Sequence, residues 1–210
     1  MEITAANDNE RGDSPQAFLA GFLEPQAEIL VRSGYPDVLG LDAPEFRARY
    51  IYPLTEAFIA FSEKTLHYLP YWSAVPLLLI VPTSLVAHDA QVERIMLGKK
   101  RGWTEVCERD WVNLSEEPDT PYLLWGISFN PAPENENLFT VGEGIAFARY
   151  NPEFAGRYID CFGSRARTGY RDRIPYLWKN PDTGRVRLDI GVPSTTKNAI
   201  VPHYVCRITA

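Results

Sequence analysis

Only three cysteines and three histidines occur in the 210 residues. Cys107, Cys161 and Cys206 are odd in number and far apart, which excludes a disulfide framework and predicts free thiols in a reducing compartment. Cys-x-x-Cys and His-x-x-x-His spacings are both missing. His67, His88 and His203 stand apart from one another, so no metal and no cofactor is expected. Long apolar runs are lacking too: "AVPLLLIVP" (74–82) is too short to cross a bilayer and is bounded by prolines. The opening "MEITAANDNERGDS" is polar and acidic and has no apolar segment of the signal-peptide kind. These absences predict a soluble, cytoplasmic protein. Internal repeats and low-complexity tracts are absent as well.

What is present is an ordinary globular composition, 45% hydrophobic and 23% charged, enough to build one sizeable core. Residues 1–13 read as a flexible arm and 14–210 as a single domain. Ser14 and Pro15 suit a helix start, with Phe18, Phe22, Ile29 and Leu30 as its apolar face and an interruption near Pro25. Asp42-Ala-Pro-Glu opens a second helical segment carrying Phe46 and Tyr50, which Pro53 breaks or restarts. "PLLLIVP" (76–82) and "YLLWGISF" (122–129) read as neighbouring central strands covered on both faces. "HDAQVERIML" (88–97) reads as a short helix with Val92, Ile95 and Met96 inward, ended by Gly98. Thr140 and Glu143 form a capping-box pattern before another helix, "GIAFARY". "IPYLWKN" and "RVRLDIG" flank Pro181-Asp182-Thr183-Gly184 and predict a hairpin, with Val186, Leu188 and Ile190 on one face. A last strand is expected over "AIVPHYVCRI" (199–208). Helices first, a mixed sheet in the middle and an antiparallel end make this an α+β fold.

The segments "GYPDVLGLDAPEFRARYIYPL" (34–54), "LLLIVP" (77–82), "YLLWGI" (122–127), "TVGEGIAFARYNPE" (140–153) and "GSRARTGYRDRIPYLW" (163–178) carry a resemblance. In these the chain resembles a bacterial family of uncharacterised proteins, a domain of unknown function, with Gly-Ser-Arg followed by Pro-x-Leu-Trp as the most specific part. The resemblance implies one domain over most of residues 34–208 and no particular chemistry. That family's end is rich in Trp, His and Cys, whereas this chain reads "GVPSTTKNAIVPHYVCRI".

Charge singles out one region. The formal net charge is −6, yet residues 157–187 hold eight bases against three acids. Within them Gly163 and Gly169 bracket Ser164, Arg165 and Arg167, and Arg171 and Arg173 follow. Glycine-flanked arginines can converge backbone amides and guanidinium forks on a phosphate or carboxylate, and the same residues suit an acidic protein partner. Arg165, directly after the Gly-Ser turn, is the strongest single candidate. The same arginines could equally be solvated or paired with the chain's own carboxylates. Stacking of Tyr170, Tyr176, Trp178 and Trp103 on nucleic acid is a weaker variant, because the chain is acidic and carries no nucleic-acid-binding signature.

Catalytic patterns are poorer. Ser164 lacks the second glycine of a nucleophile elbow, and Ser194-Thr-Thr-Lys197 lies in a loop without companion motifs. Cys161 could have its thiol pKa lowered by the neighbouring arginines, although a small core side chain is the plainer reading. His203 and Cys206 would point to opposite faces of one strand. The expectation is therefore a non-enzymatic binding or interaction protein using residues 163–173. The alternative is an enzyme acting on an anionic small molecule.

Overall fold

The computed structural model of the protein describes residues 15–65, 75–129, 137–167, 173–193 and 199–210. The expected arm and Ser14 lie outside the described residues, as do Arg171 and the 194–197 segment. The first third is helical: α1 (Pro15–Arg32), the short turns α2 (Tyr35–Val38) and α3 (Ala43–Phe46), and α4 (Tyr52–Thr65). Asp42 and Glu45 start α3 by exchanging hydrogen bonds: Asp42 Oδ1 accepts the Glu45 N–H at 2.7 Å, and Glu45 Oε2 accepts the Asp42 N–H at 3.0 Å. Pro53 brings no N–H, and the chain passes into α4 through a π turn over Arg47–Ile51.

Two expectations about the helices change. Pro25 sits inside α1 without interrupting it. The buried stripe of α1 is Leu19, Leu23, Ala27 and Leu30, and Phe22 is exposed. Of the face expected from the sequence, Leu30 belongs to this stripe and Phe18 packs against the same core.

The remainder supplies β1 (Val75–Ile80), α5 (His88–Glu93), the two-residue strands β2 (Met96–Leu97), β3 (Lys100–Arg101) and β4 (Trp103–Thr104), and β5 (Trp111–Asn113). After these come β6 (Tyr122–Ile127), β7 (Asn137–Leu138), α6 (Val141–Tyr150), β8 (Tyr158–Asp160), β9 (Ser164–Ala166) and β10 (Ile174–Lys179). The chain finishes with β11 (Val186–Gly191), β12 (Ala199–Ile200), β13 (His203–Tyr204) and β14 (Cys206–Ile208). Helices followed by mixed sheets make this an α+β fold. Among the described residues no helix is long and apolar enough to cross a membrane.

One sheet is antiparallel in the order β1-β6-β14, and a second runs β12-β8-β10-β11-β4. β1 and β6 are neighbours, with Leu77 opposite Trp125 and Ile80 opposite Tyr122. Alternate residues serve two cores. Leu77, Leu79, Leu123 and Trp125 pack on the N-terminal helices, and Leu78, Ile80, Tyr122 and Leu124 face α6. Residues 141–149 of α6 are all buried between this sheet and Ile159, Leu177 and Leu188 of the second.

The expectation that β1 is a central strand is corrected, because it lies at the sheet edge. Its open edge is closed by a side chain. Gln26 of α1 donates from Nε2 to Leu77 O at 2.9 Å and accepts the Leu79 N–H on Oε1 at 2.7 Å. A primary amide thus stands in for the missing strand and satisfies backbone groups that burial would otherwise orphan.

The expected 88–97 helix ends at Glu93; Gly98, at φ +62°, turns a β2–β3 hairpin, and Met96 faces outward. The β10–β11 hairpin forms as expected, and Asn180 Oδ1 accepts the Asp182 and Thr183 N–H groups in its turn. Residues 199–208 do not form one strand. They break around Pro202 into β12, β13 and β14, which join three different sheets, so His203 and Cys206 lie in separate strands.

Candidate functional site

β5 and β9 form a two-stranded antiparallel ribbon that sets Trp111 opposite Ala166, Val112 opposite Arg165 and Asn113 opposite Ser164. Period-two alternation divides its residues. Trp111 and Ser164 turn inward, and Val112 and Arg165 turn to solvent. The Ser164 hydroxyl donates to Asn113 Oδ1 at 2.5 Å and accepts the Val141 N–H at 3.1 Å. Ser164 therefore ties the ribbon to the first turn of α6 and is absent from its outer face.

Gly163 has a packing role. A Cβ there would lie 2.4 Å from Leu138 O and 2.7 Å from the Phe139 backbone. The close approach carries the Gly163 N–H bond to Phe139 O at 2.8 Å. Gly169 lies outside the described residues.

The outer face is built from Arg165, Arg167, Val112 and Leu114. With Ala166 these line a shallow, open groove of about 640 Å³. Val112 is 43% and Leu114 53% exposed. Arg167 is held in place, its Nε donating to Trp111 O at 2.7 Å and its N–H to Asp110 O at 2.8 Å. The Arg165 side chain is exposed and makes no ion pair or hydrogen bond among the described residues. Arg173 is exposed at the start of β10, where its carbonyl accepts the Ala166 N–H at 3.1 Å.

A second polar cluster is buried at the first turn of α6. Thr140 and Glu143 form the expected capping box. Beyond capping, Glu143 Oε1 accepts from Arg207 Nη2 at 2.8 Å, Arg207 Nε at 3.1 Å and the Tyr122 hydroxyl at 3.1 Å. Its Oε2 accepts the Thr140 N–H at 2.8 Å. Burial pushes the Glu143 carboxyl above its ordinary range, against the pull of Arg207 and the Thr140 N–H. Glu117 lies close by, bonded to the Thr140 hydroxyl. Both Glu143 oxygens are consumed by the protein itself, so this cluster joins α6 to β6 and β14. No local pattern in the sequence signals the Glu143–Arg207 pair.

Cys161 follows the plainer reading, a small buried core side chain, and not that of an arginine-activated thiol. Burial first, and the Asp160, Glu143 and Glu117 charges next, push its thiol well above the usual value. The sulfur packs against Gly144, where a Cβ would come within 2.4 Å of Sγ. The arginines that follow it in sequence do not lower its pKa, because β9 directs Arg165 to the opposite side.

A cleft of about 360 Å³ does bring Cys107 and His88 together. His88 Nε2 lies 2.8 Å from Val106 O, which fixes the Nε2–H tautomer, and Nδ1 is buried without a partner. Neither nitrogen is placed to take a proton from Cys107. Among the described residues no group of three or more His, Cys, Asp and Glu could hold a metal ion. No protein-family model, curated protein or solved structure matches this chain.

Proposed function

We propose that this is a non-enzymatic binding protein that takes an acidic, partly apolar segment of a partner protein along the β5–β9 ribbon. The observation that carries the reading is Arg165, exposed and unpaired, directly across the strand pair from exposed Val112. Cationic and apolar surface then face each other across one groove, Arg167 extending the cationic side and Leu114 the apolar side. A segment alternating carboxylates with aliphatic side chains is complementary on both counts. Exposed ion pairs contribute only about 0–1 kcal/mol each, so covering Val112 and Leu114 supplies much of the affinity. The arginines supply orientation and encounter rate in a protein whose net charge of −6 repels acidic segments elsewhere.

The test uses a fluorescein-labelled synthetic peptide alternating Glu and Leu, titrated against the full chain. Binding should weaken as salt rises and be lost in Arg165→Ala with Arg167→Ala, while Lys99→Ala with Lys179→Ala binds as wild type does. Equal binding by both double variants would refute the ribbon as the docking surface.

A further inference from the structure

A different face of the molecule concentrates guanidinium groups that the ribbon does not use. Arg149, in the last turn of α6, is only 5% exposed, and its Nε and Nη1 are buried with no hydrogen-bond partner. Its remaining contacts are neutral: Nη2 reaches Gln91 O at 3.3 Å and Gln91 Oε1 at 3.2 Å. Arg94, just past the end of α5, also has a buried Nε without a partner, and its Nη1 donates to Ala90 O at 2.7 Å. Both guanidiniums lie near the Tyr35 ring, Arg149 at 4.6 Å and Arg94 at 5.9 Å from its centroid. Neither makes a salt bridge to a carboxylate among the described residues. Two cations sharing one aromatic ring with no anion between them is an unbalanced arrangement, because buried charges are ordinarily paired.

Beside them opens a cleft of about 470 Å³ lined by Ile29, Arg32, Ser33, Glu93, Arg94, Met96 and Arg101. Three arginines face one glutamate across it. Arg32 is partly neutralised by Glu28, 2.8 Å away, whereas the Arg101 side chain is exposed with no partner among the described residues. Ile29 and Met96 add apolar wall, and Ser33 a hydroxyl. The volume suits a small metabolite, and guanidinium forks match phosphate oxygens. We infer that this cleft binds a small organic phosphate, its phosphate held by Arg94 and Arg101 and its apolar part against Ile29 and Met96. Arg149, against the Tyr35 ring, adds positive charge that no carboxylate pairs with among the described residues.

Phenyl phosphate is the probe, titrated calorimetrically into the full chain at fixed ionic strength, with inorganic phosphate as the second arm. Saturable binding is expected, tighter for phenyl phosphate than for inorganic phosphate. Arg101→Gln should weaken it about tenfold, the loss of one charge-assisted contact pair. Arg165→Gln on the ribbon should leave it unchanged. Arg101 is exposed, so its variant remains informative even where Arg94→Gln does not fold. The assignment is overturned by equal affinity for the two phosphates, by an Arg101→Gln affinity within twofold of wild type, or by loss in Arg165→Gln alone.

Discussion

Replacing Gln26 by leucine tests how the edge of β1 is closed. The side chain is buried and spans from α1 to the backbone of Leu77 and Leu79 with bonds of 2.9 and 2.7 Å. Leucine has similar bulk but leaves one carbonyl and one N–H buried without partners. Each such orphan costs about 1–3 kcal/mol, so Gln26→Leu should lose about 2–5 kcal/mol after a small gain in apolar burial. Urea unfolding followed by tryptophan fluorescence measures the loss, and hydrogen exchange at the Leu79 amide shows whether it is local. Gln26→Glu sharpens the test. Its carboxylate can still accept the Leu79 N–H but sets an oxygen against Leu77 O. Only the protonated acid can donate there, so the native pKa of this carboxyl is raised and the deficit should shrink as pH falls through it. A loss below about 0.5 kcal/mol in Gln26→Leu, with Leu79 protection unchanged, would refute the surrogate-strand reasoning.

Two further outcomes follow from the buried groups around α6. Arg207→Met removes the partner of Glu143 and should cost about 3 kcal/mol at neutral pH in urea unfolding. A native carboxyl pKa above the unfolded value contributes stability at low pH that is lost as pH rises through the native pKa. Without Arg207 the Glu143 pKa climbs further, so the deficit relative to wild type should narrow as pH falls through the raised native values; a deficit constant with pH would contradict the pairing. In alkylation without reductant, the exposed Cys107 should react in the native state and Cys161 only on unfolding, as mass spectrometry would read. Rapid native labelling of Cys161, or any native intramolecular disulfide, would contradict its buried, raised-pKa state.

The sequence by itself determined what closes over a few residues. Asp42 with Glu45 and Thr140 with Glu143 sit three apart, and each pair caps its own helix whatever packs outside it. Asn180 to Gly184 forms its turn locally, and the period-two pattern of β11 sets Val186 and Leu188 inward. The two apolar runs identified β1 and β6 because neither has a polar face for water. The basic island at 157–187 was legible from composition, although the sequence could not say that Ser164 faces inward while Arg165 faces out, since that depends on pairing with β5.

Tertiary structure decided the partners that lie far away. Gln26 meets Leu77 across 51 residues, and Arg207 meets Glu143 across 64. Arg149 reaches Gln91 across 58, and α6, α5 and α1 together place Arg149, Arg94 and Arg32 around the Tyr35 region. The face of α1 was likewise settled by the sheet it covers, and the 199–208 segment was divided by three sheets competing for its hydrogen bonds. Local caps and turns form their bonds among neighbours in sequence, so their chemistry can be read directly. A buried amide or guanidinium is fixed by whichever distant backbone or ring burial leaves unsatisfied, and that becomes defined only when the layers meet.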